Sequence, residues 1–260
     1  MDTSRKTAIA VGILYITGTV AGILSLAFTE PARNAQDHLL HISTNENQMV
    51  IGALFVLIMG LALAIIPIVL FSILKKYNES IALGYVVFRG GLEAFTYITV
   101  VISWLLLVPL SQAYVQSGGS SPSSFQALGT LLLKTKEIGS VTAIIFPLGA
   151  LMFYYLLYRS SLIPRWLSGW GLIAVIPYLA AGLSAMFGII DPLSTVGVVL
   201  DIPLALQEMV LAVWLIVKGF NSSPVSFRLV EAPVSQTEMI TSNSKKDSLG
   251  IKRSFPNSSI

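Results

Sequence analysis

Six long apolar runs, at about residues 7–28, 49–74, 81–110, 127–158, 166–187 and 195–220, constrain this chain more than anything else in it. Each is long enough to cross a bilayer, whose ~30 Å hydrocarbon core needs about 20 helical residues. The composition agrees: 54% of residues are apolar and only 11% are charged, with a mean hydropathy of +0.78. A soluble domain carries about 25% charged residues. The sequence therefore predicts an all-α fold, a polytopic transmembrane bundle of six helices over residues 1–220. The formal charge of +3 sits in loops and tail, where topology requires it, so no nucleic-acid partner is expected. With no cysteine, the chain has no disulfide, thiol nucleophile or Cys-ligated metal.

The first run has a competing reading as a signal peptide. A signal core spans about 7–15 residues. Thr7–Phe28 has 22 uncharged residues and no small-x-small cleavage site before Glu30, so it is read as a span. Basic residues mark every second boundary: Arg5 and Lys6, Lys75 and Lys76, Arg159 and Arg165, then Lys218. The opposite connections hold only Arg33 in 29–48, nothing basic in 111–124 and Asp191 after the fifth run. This positive-inside pattern predicts that both termini are cytoplasmic, and Tyr77, Tyr158, Trp166 and Trp170 fall at the same inner boundary, as aromatic belts do. Residues 221–260 contain ten serines, three prolines and scattered charge without helical periodicity, which predicts a disordered cytoplasmic tail. Its Lys245-Lys246 and Lys252-Arg253 pairs suit either solvent or contact with anionic lipid. A faint likeness between the two inner hairpins, Lys75 to Tyr85 and Arg159 to Trp170, fits an inverted repeat or simply two loops meeting one interfacial demand.

Arg89 and Glu93 are the most pointed pair in the chain. At i, i+4 they share one helical face. Counted from Ile81 at about 1.5 Å per residue, they lie about 12 and 18 Å deep. A charge at the centre of a spanning helix costs about 2.5–3.5 kcal/mol on insertion scales, so such groups face the bundle interior and find partners. Glu208 lies ten residues before Lys218, hence about 15 Å deep from the same side. We expect a mid-membrane Arg89–Glu93–Glu208 cluster, extended by Gln207. It could be glue that fixes helix register, or it could bind a small ligand or handle protons. Asp201, seven residues before Glu208, shares roughly one side of its helix and should lie near the outer interface, level with Lys134 and Glu137. Those three could form a polar mouth, although ordinary snorkelling to the headgroups is the better explanation of the lysine.

Weaker signals complete the reading. Pro67, Pro147, Pro177 and Pro203 fall near the middles of runs, where each frees a carbonyl one turn back. Gly18-x-x-x-Gly22 and Ala181-x-x-x-Ala185 allow close backbone approach, within the bundle or across a dimer seam. His38 and His41 beside Asp37 are too few for a zinc site and read as surface residues. No H-E-x-x-H, G-x-S-x-G, Walker or dinucleotide motif is present, so neither an enzymatic activity nor a cofactor is expected.

Several strings resemble a known family: Asn45-Glu46-Asn47-Gln48, Tyr77-Asn78-Glu79, Ala82-Leu83-Gly84-Tyr85 with Phe88-Arg89, Tyr155 to Ser160, Pro164 to Gly171, and Leu204 to Met209 through Trp214 to Phe220. Together, over about residues 5–220, they resemble the prokaryotic membrane proteins grouped as domain of unknown function 4386. The resemblance implies six helices and a multi-pass location in the cell membrane of a bacterium or archaeon. It implies no activity and no site residues. The residues themselves favour a small permease-like or ligand-binding bundle in the lipid bilayer, its ligand a small molecule or a proton. The alternative is an accessory or structural protein whose ion pairs only fix packing.

Overall fold

Every described segment of regular structure is helical, as the hydrophobic runs require. The computed structural model describes residues 3–118, 122–192 and 194–221; the tail, with its paired basic residues, lies outside them apart from Asn221. The elements are α1 (Thr3–Asn34), α2 (His38–Thr44), α3 (Glu46–Leu74), α4 (Glu79–Tyr85), a π-helical segment (Val86–Leu92), α5 (Glu93–Gln116), α6 (Pro122–Lys134), α7 (Lys136–Ser160), α8 (Arg165–Met186) and α9 (Thr195–Val217). Six stretches are long and apolar enough to cross a membrane: Thr3–Asn34, Glu46–Leu74, Glu79–Gln116, Ser123–Ser160, Arg165–Met186 and Thr195–Val217.

The spans pack in a ring. α1 lies against α3, α3 against α5, α5 against α7, α7 against α8, α8 against α9, and α9 returns to α1. Arg5 helps to close that ring at the basic end. Its guanidinium donates to the carbonyls of Leu215 (3.0 Å), Ile216 (2.6 Å) and Val217 (3.1 Å), groups that the end of α9 leaves without helical partners. The outward surface carries exposed Ile, Leu, Val and Phe along every span, including Ile23, Ile68, Phe95, Leu131, Ile173 and Val213. In water such a surface would aggregate; it matches hydrocarbon.

Small residues set the closest approaches. Gly18 and Gly22 face Leu63 and Met59 of α3, so the first small-residue motif serves packing inside the bundle. Ala181 and Ala185 are buried, and between them Gly182 presses on the Ala143 backbone of α7. The mid-span prolines do not break their helices: α3, α7, α8 and α9 run through Pro67, Pro147, Pro177 and Pro203. The irregularities fall elsewhere. One is the π segment, where i→i+5 bonding inserts an extra residue into the third span. The other is Thr135, whose left-handed backbone (φ 44°) separates α6 from α7.

At the end opposite the basic residues, α2 caps the bundle. Asp37 accepts from the Leu40 N–H (3.0 Å), the Tyr114 hydroxyl (2.9 Å) and the Gln126 amide (2.7 Å), tying α2 to α5 and α6. Burial pushes its carboxyl up, but these bonds outweigh that and hold it below the ordinary carboxylate value. His38 packs against Gly129 of α6, and burial depresses its imidazole below the usual value. No group of three metal-ligating side chains occurs among the described residues.

The glycine contacts yield a matched pair of expectations. A Cβ on Gly182 would lie 2.6 Å from Ala143 Cβ and 2.8 Å from its carbonyl oxygen, whereas one on Gly91 meets nothing within 4 Å. Gly182→Ala should therefore destabilise the folded state by about 1–3 kcal/mol. Gly91→Ala should be neutral or stabilising by up to about 1 kcal/mol. Denaturant titration in detergent micelles reads both; equal losses would contradict this account of the α7–α8 approach.

Candidate functional site

Arg89 occupies the middle of the π segment, ten residues into its span, and is 3% exposed. Its Nη1 donates to both carboxylate oxygens of Glu93 (3.2 Å each), and its Nη2 donates to Glu208 Oε1 (3.1 Å). Glu93 is 1% exposed and also accepts from the Tyr97 hydroxyl (2.9 Å). Beneath the guanidinium lies the Phe146 ring, 4.3 Å from Arg89 Cζ to its centroid, with the Tyr15 ring at 6.0 Å. A cation over an aromatic face is attracted by the ring quadrupole, most strongly when water is excluded. Residues 119 positions apart thus meet through one guanidinium.

Two glycines bring the backbones close enough for this. A Cβ on Gly149 of α7 would sit 3.3 Å from the Arg89 nitrogen, and one on Gly90 would sit 3.3 Å from Pro67 of α3. The π segment is therefore clasped by α3 and α7 directly beside the charge. Such π turns are rare and are frequently found at functional sites.

A cavity of about 160 Å³ opens beside the cluster, at the centre of the ring. Arg89 and Glu93 line it from the third span; Tyr97, Phe146 and Tyr178 contribute rings; Asp201, Leu204, Ala205 and Glu208 line it from α9; and Leu63 adds an apolar face. Tyr178 stands edge-on to Phe146, with ring centroids 5.0 Å apart. Asp201 is half-buried, and none of the described residues donates a hydrogen bond to it. The cavity thus gathers three carboxylates and one guanidinium, a formal surplus of two negative charges if all ionise.

Other expected site residues fall outside this arrangement. Gln207 is fully buried, but its amide oxygen accepts from the Tyr154 hydroxyl (2.5 Å) and its nitrogen donates to the Leu167 carbonyl (3.1 Å). It is one residue, about 100° around the helix, from Glu208, so it looks toward α7 and α8. Lys134 is exposed at the end of α6, a helix packed on α2 and α5, and does not line the cavity. The Glu137 side chain lies outside the described residues. Asp201 lines the same cavity as Glu208.

Tyr97 could have been found from sequence, since it stands at i+4 from Glu93 just as Glu93 does from Arg89. Phe146, Tyr154 and Tyr178 could not, because rings on apolar helices carry no mark of what they face. Two buried polar atoms here lack hydrogen-bond partners, Arg89 Nε and the Tyr85 hydroxyl.

Fold and site together define a six-span helical membrane bundle with an ion cluster at the centre of its ring. Residues 10–219 match the model of the family described as domain of unknown function DUF4386. The chain belongs to that family. No curated protein and no solved structure matches it.

The two glutamates should not be equivalent. One guanidinium is neutralised by one carboxylate, and Glu93, chelated through both oxygens, already does so. Glu93→Gln should cost about 3 kcal/mol, the scale of breaking a buried pair, whereas Glu208→Gln should fall within about 1 kcal/mol of the parent. Unfolding in detergent compares them. Equal large losses would make the three residues a single structural unit.

Proposed function

We propose that the protein is a small permease-like or ligand-binding bundle whose central cavity receives a proton or a small solute at the Arg89–Glu93–Glu208 cluster. The carrying observation is the cavity itself, lined by ionisable side chains in the middle of spanning helices. Ionisable groups at such depth are costly, and they mark substrate and ion pathways or proton relays. The site forms where an irregular backbone turn lies within the ring, a position that membrane helices tolerate only when protein or a cavity surrounds it. On this reading the protein is multi-pass in the cell membrane of a bacterium or archaeon. Both termini are cytoplasmic, a placement that the basic ends of α1 and α9 support. No bond-making step is assigned to it.

A structural accessory role is the second reading. It draws on Arg5 binding the end of α9 and on the Tyr154–Gln207–Leu167 bridge, which join helices without reference to any ligand. The two readings differ in whether water reaches the cavity, and the cysteine-free chain makes that directly measurable. Ala205→Cys should react with a small water-soluble thiol reagent in the folded protein. Val213→Cys, exposed on the same helix but not lining the cavity, should resist because hydrocarbon suppresses the thiolate. Failure of the Ala205→Cys variant to react would favour the accessory role.

A further inference from the structure

From the distribution of charge in the cavity, and resting on the reading above, we propose that its ligand is a linear aliphatic diamine, held by Asp201 at one end and Glu208 at the other. The acidic lining disfavours an anion, even though Arg89 Nε has no hydrogen-bond partner. Three of the guanidinium's N–H directions are spent on Glu93 and Glu208, and an incoming carboxylate or phosphate would meet three acidic neighbours. Glu93 is already engaged at both oxygens, by Arg89 and by the Tyr97 hydroxyl.

Two carboxylates remain. Glu208 uses only Oε1 on Arg89, and its side chain keeps 17% exposure within the cavity. Asp201 receives no hydrogen bond from the described residues. They stand seven residues apart on α9, which places them on one face and about 10 Å apart along its axis. Two ammonium–carboxylate contacts of about 2.8 Å each leave about 5 Å between the nitrogens. A chain of three or four methylenes spans that gap.

The walls fit the same class of ligand. The same cavity presents Leu204, Ala205 and the rings of Phe146 and Tyr178, suited to methylenes and to an ammonium group over a ring face. A hard metal cation would need about six oxygen ligands, more than Asp201 and the remaining oxygen of Glu208 offer. A dication also cancels the surplus of two negative charges, which in hydrocarbon must be neutralised by protons or by a ligand.

The test uses the full chain in lipid nanodiscs with putrescine and its monoamine counterpart, butylamine, followed by calorimetry. Putrescine should bind about tenfold more tightly than butylamine, and Asp201→Asn should abolish that difference by weakening putrescine. Glu208→Gln, the second variant, should abolish it from the other end. Equal affinity for the two amines in the parent, preserved discrimination in both variants, or no heat with either amine would overturn the diamine assignment. The fate of the cavity reading is separately visible in the Ala205→Cys variant. Protection of its thiol by a neutral or anionic solute, but not by putrescine, would keep the cavity and reject the diamine. A thiol there that never reacts would reject both.

Discussion

A guanidinium placed inside a layer of hydrocarbon must be neutralised on the spot, and much of the ring's interior is organised by that demand at Arg89. Glu93 answers it within the same span and Glu208 answers it from the last one. Phe146 offers the face of a ring, and Gly149 lets α7 come near enough to present it. Solvent screening is weak there, so each of these contacts counts for more than its counterpart on a soluble surface. Contacts among α3, α5, α7 and α9 are thereby tied to one charge. Arg5, at the basic end, ties the end of α9 to α1.

The π segment is part of the same solution. One inserted residue turns everything after it by about 100° relative to an unbroken α-helix. The buried face of α4, with Ala82 and Tyr85, packs in the core with α7, while Glu93, Thr96 and Trp104 become the buried face of α5. Without that turn, the third span could not both pack its first part on Phe153, through the stacked Tyr85 ring, and keep its acidic residue on the guanidinium. Gly90 and Gly91 at this point fit a backbone that must widen while Pro67 presses on one side.

How much of this was written in the sequence differs from residue to residue. The six spans follow from hydropathy alone, because a bilayer rewards long apolar runs irrespective of neighbours. Arg89 with Glu93 follows from a spacing of four, and Glu208 from a match of depth, since buried charges must find partners and few were offered. Gln207 illustrates where such reasoning stops: depth places it beside Glu208, but azimuth sends it to Tyr154. Lys134 marks a further limit: a match of height along the membrane does not say which helices a side chain meets, and α6 packs on α2 and α5. The cavity's rings were illegible because an aromatic residue in a hydrophobic run looks the same facing lipid or ligand. The irregular turns are hidden for a related reason. Proline is conspicuous in sequence, yet membrane helices accommodate it, whereas the π turn and the left-handed Thr135 leave no strong local signature.

The acidic surplus bears most directly on the choice between glue and function. A device for holding helices together needs one arginine and one carboxylate, and Glu93, with a bidentate contact and the Tyr97 hydroxyl, already completes it. Glu208 adds a second carboxylate to a guanidinium that is already neutralised. Asp201 then adds a third, without any hydrogen-bond donor among the described residues. Each further acid in a low-dielectric interior opposes folding unless something neutralises it. Packing alone gives no reason to keep them in place along one cavity. A positively charged visitor, or protons that come and go, does.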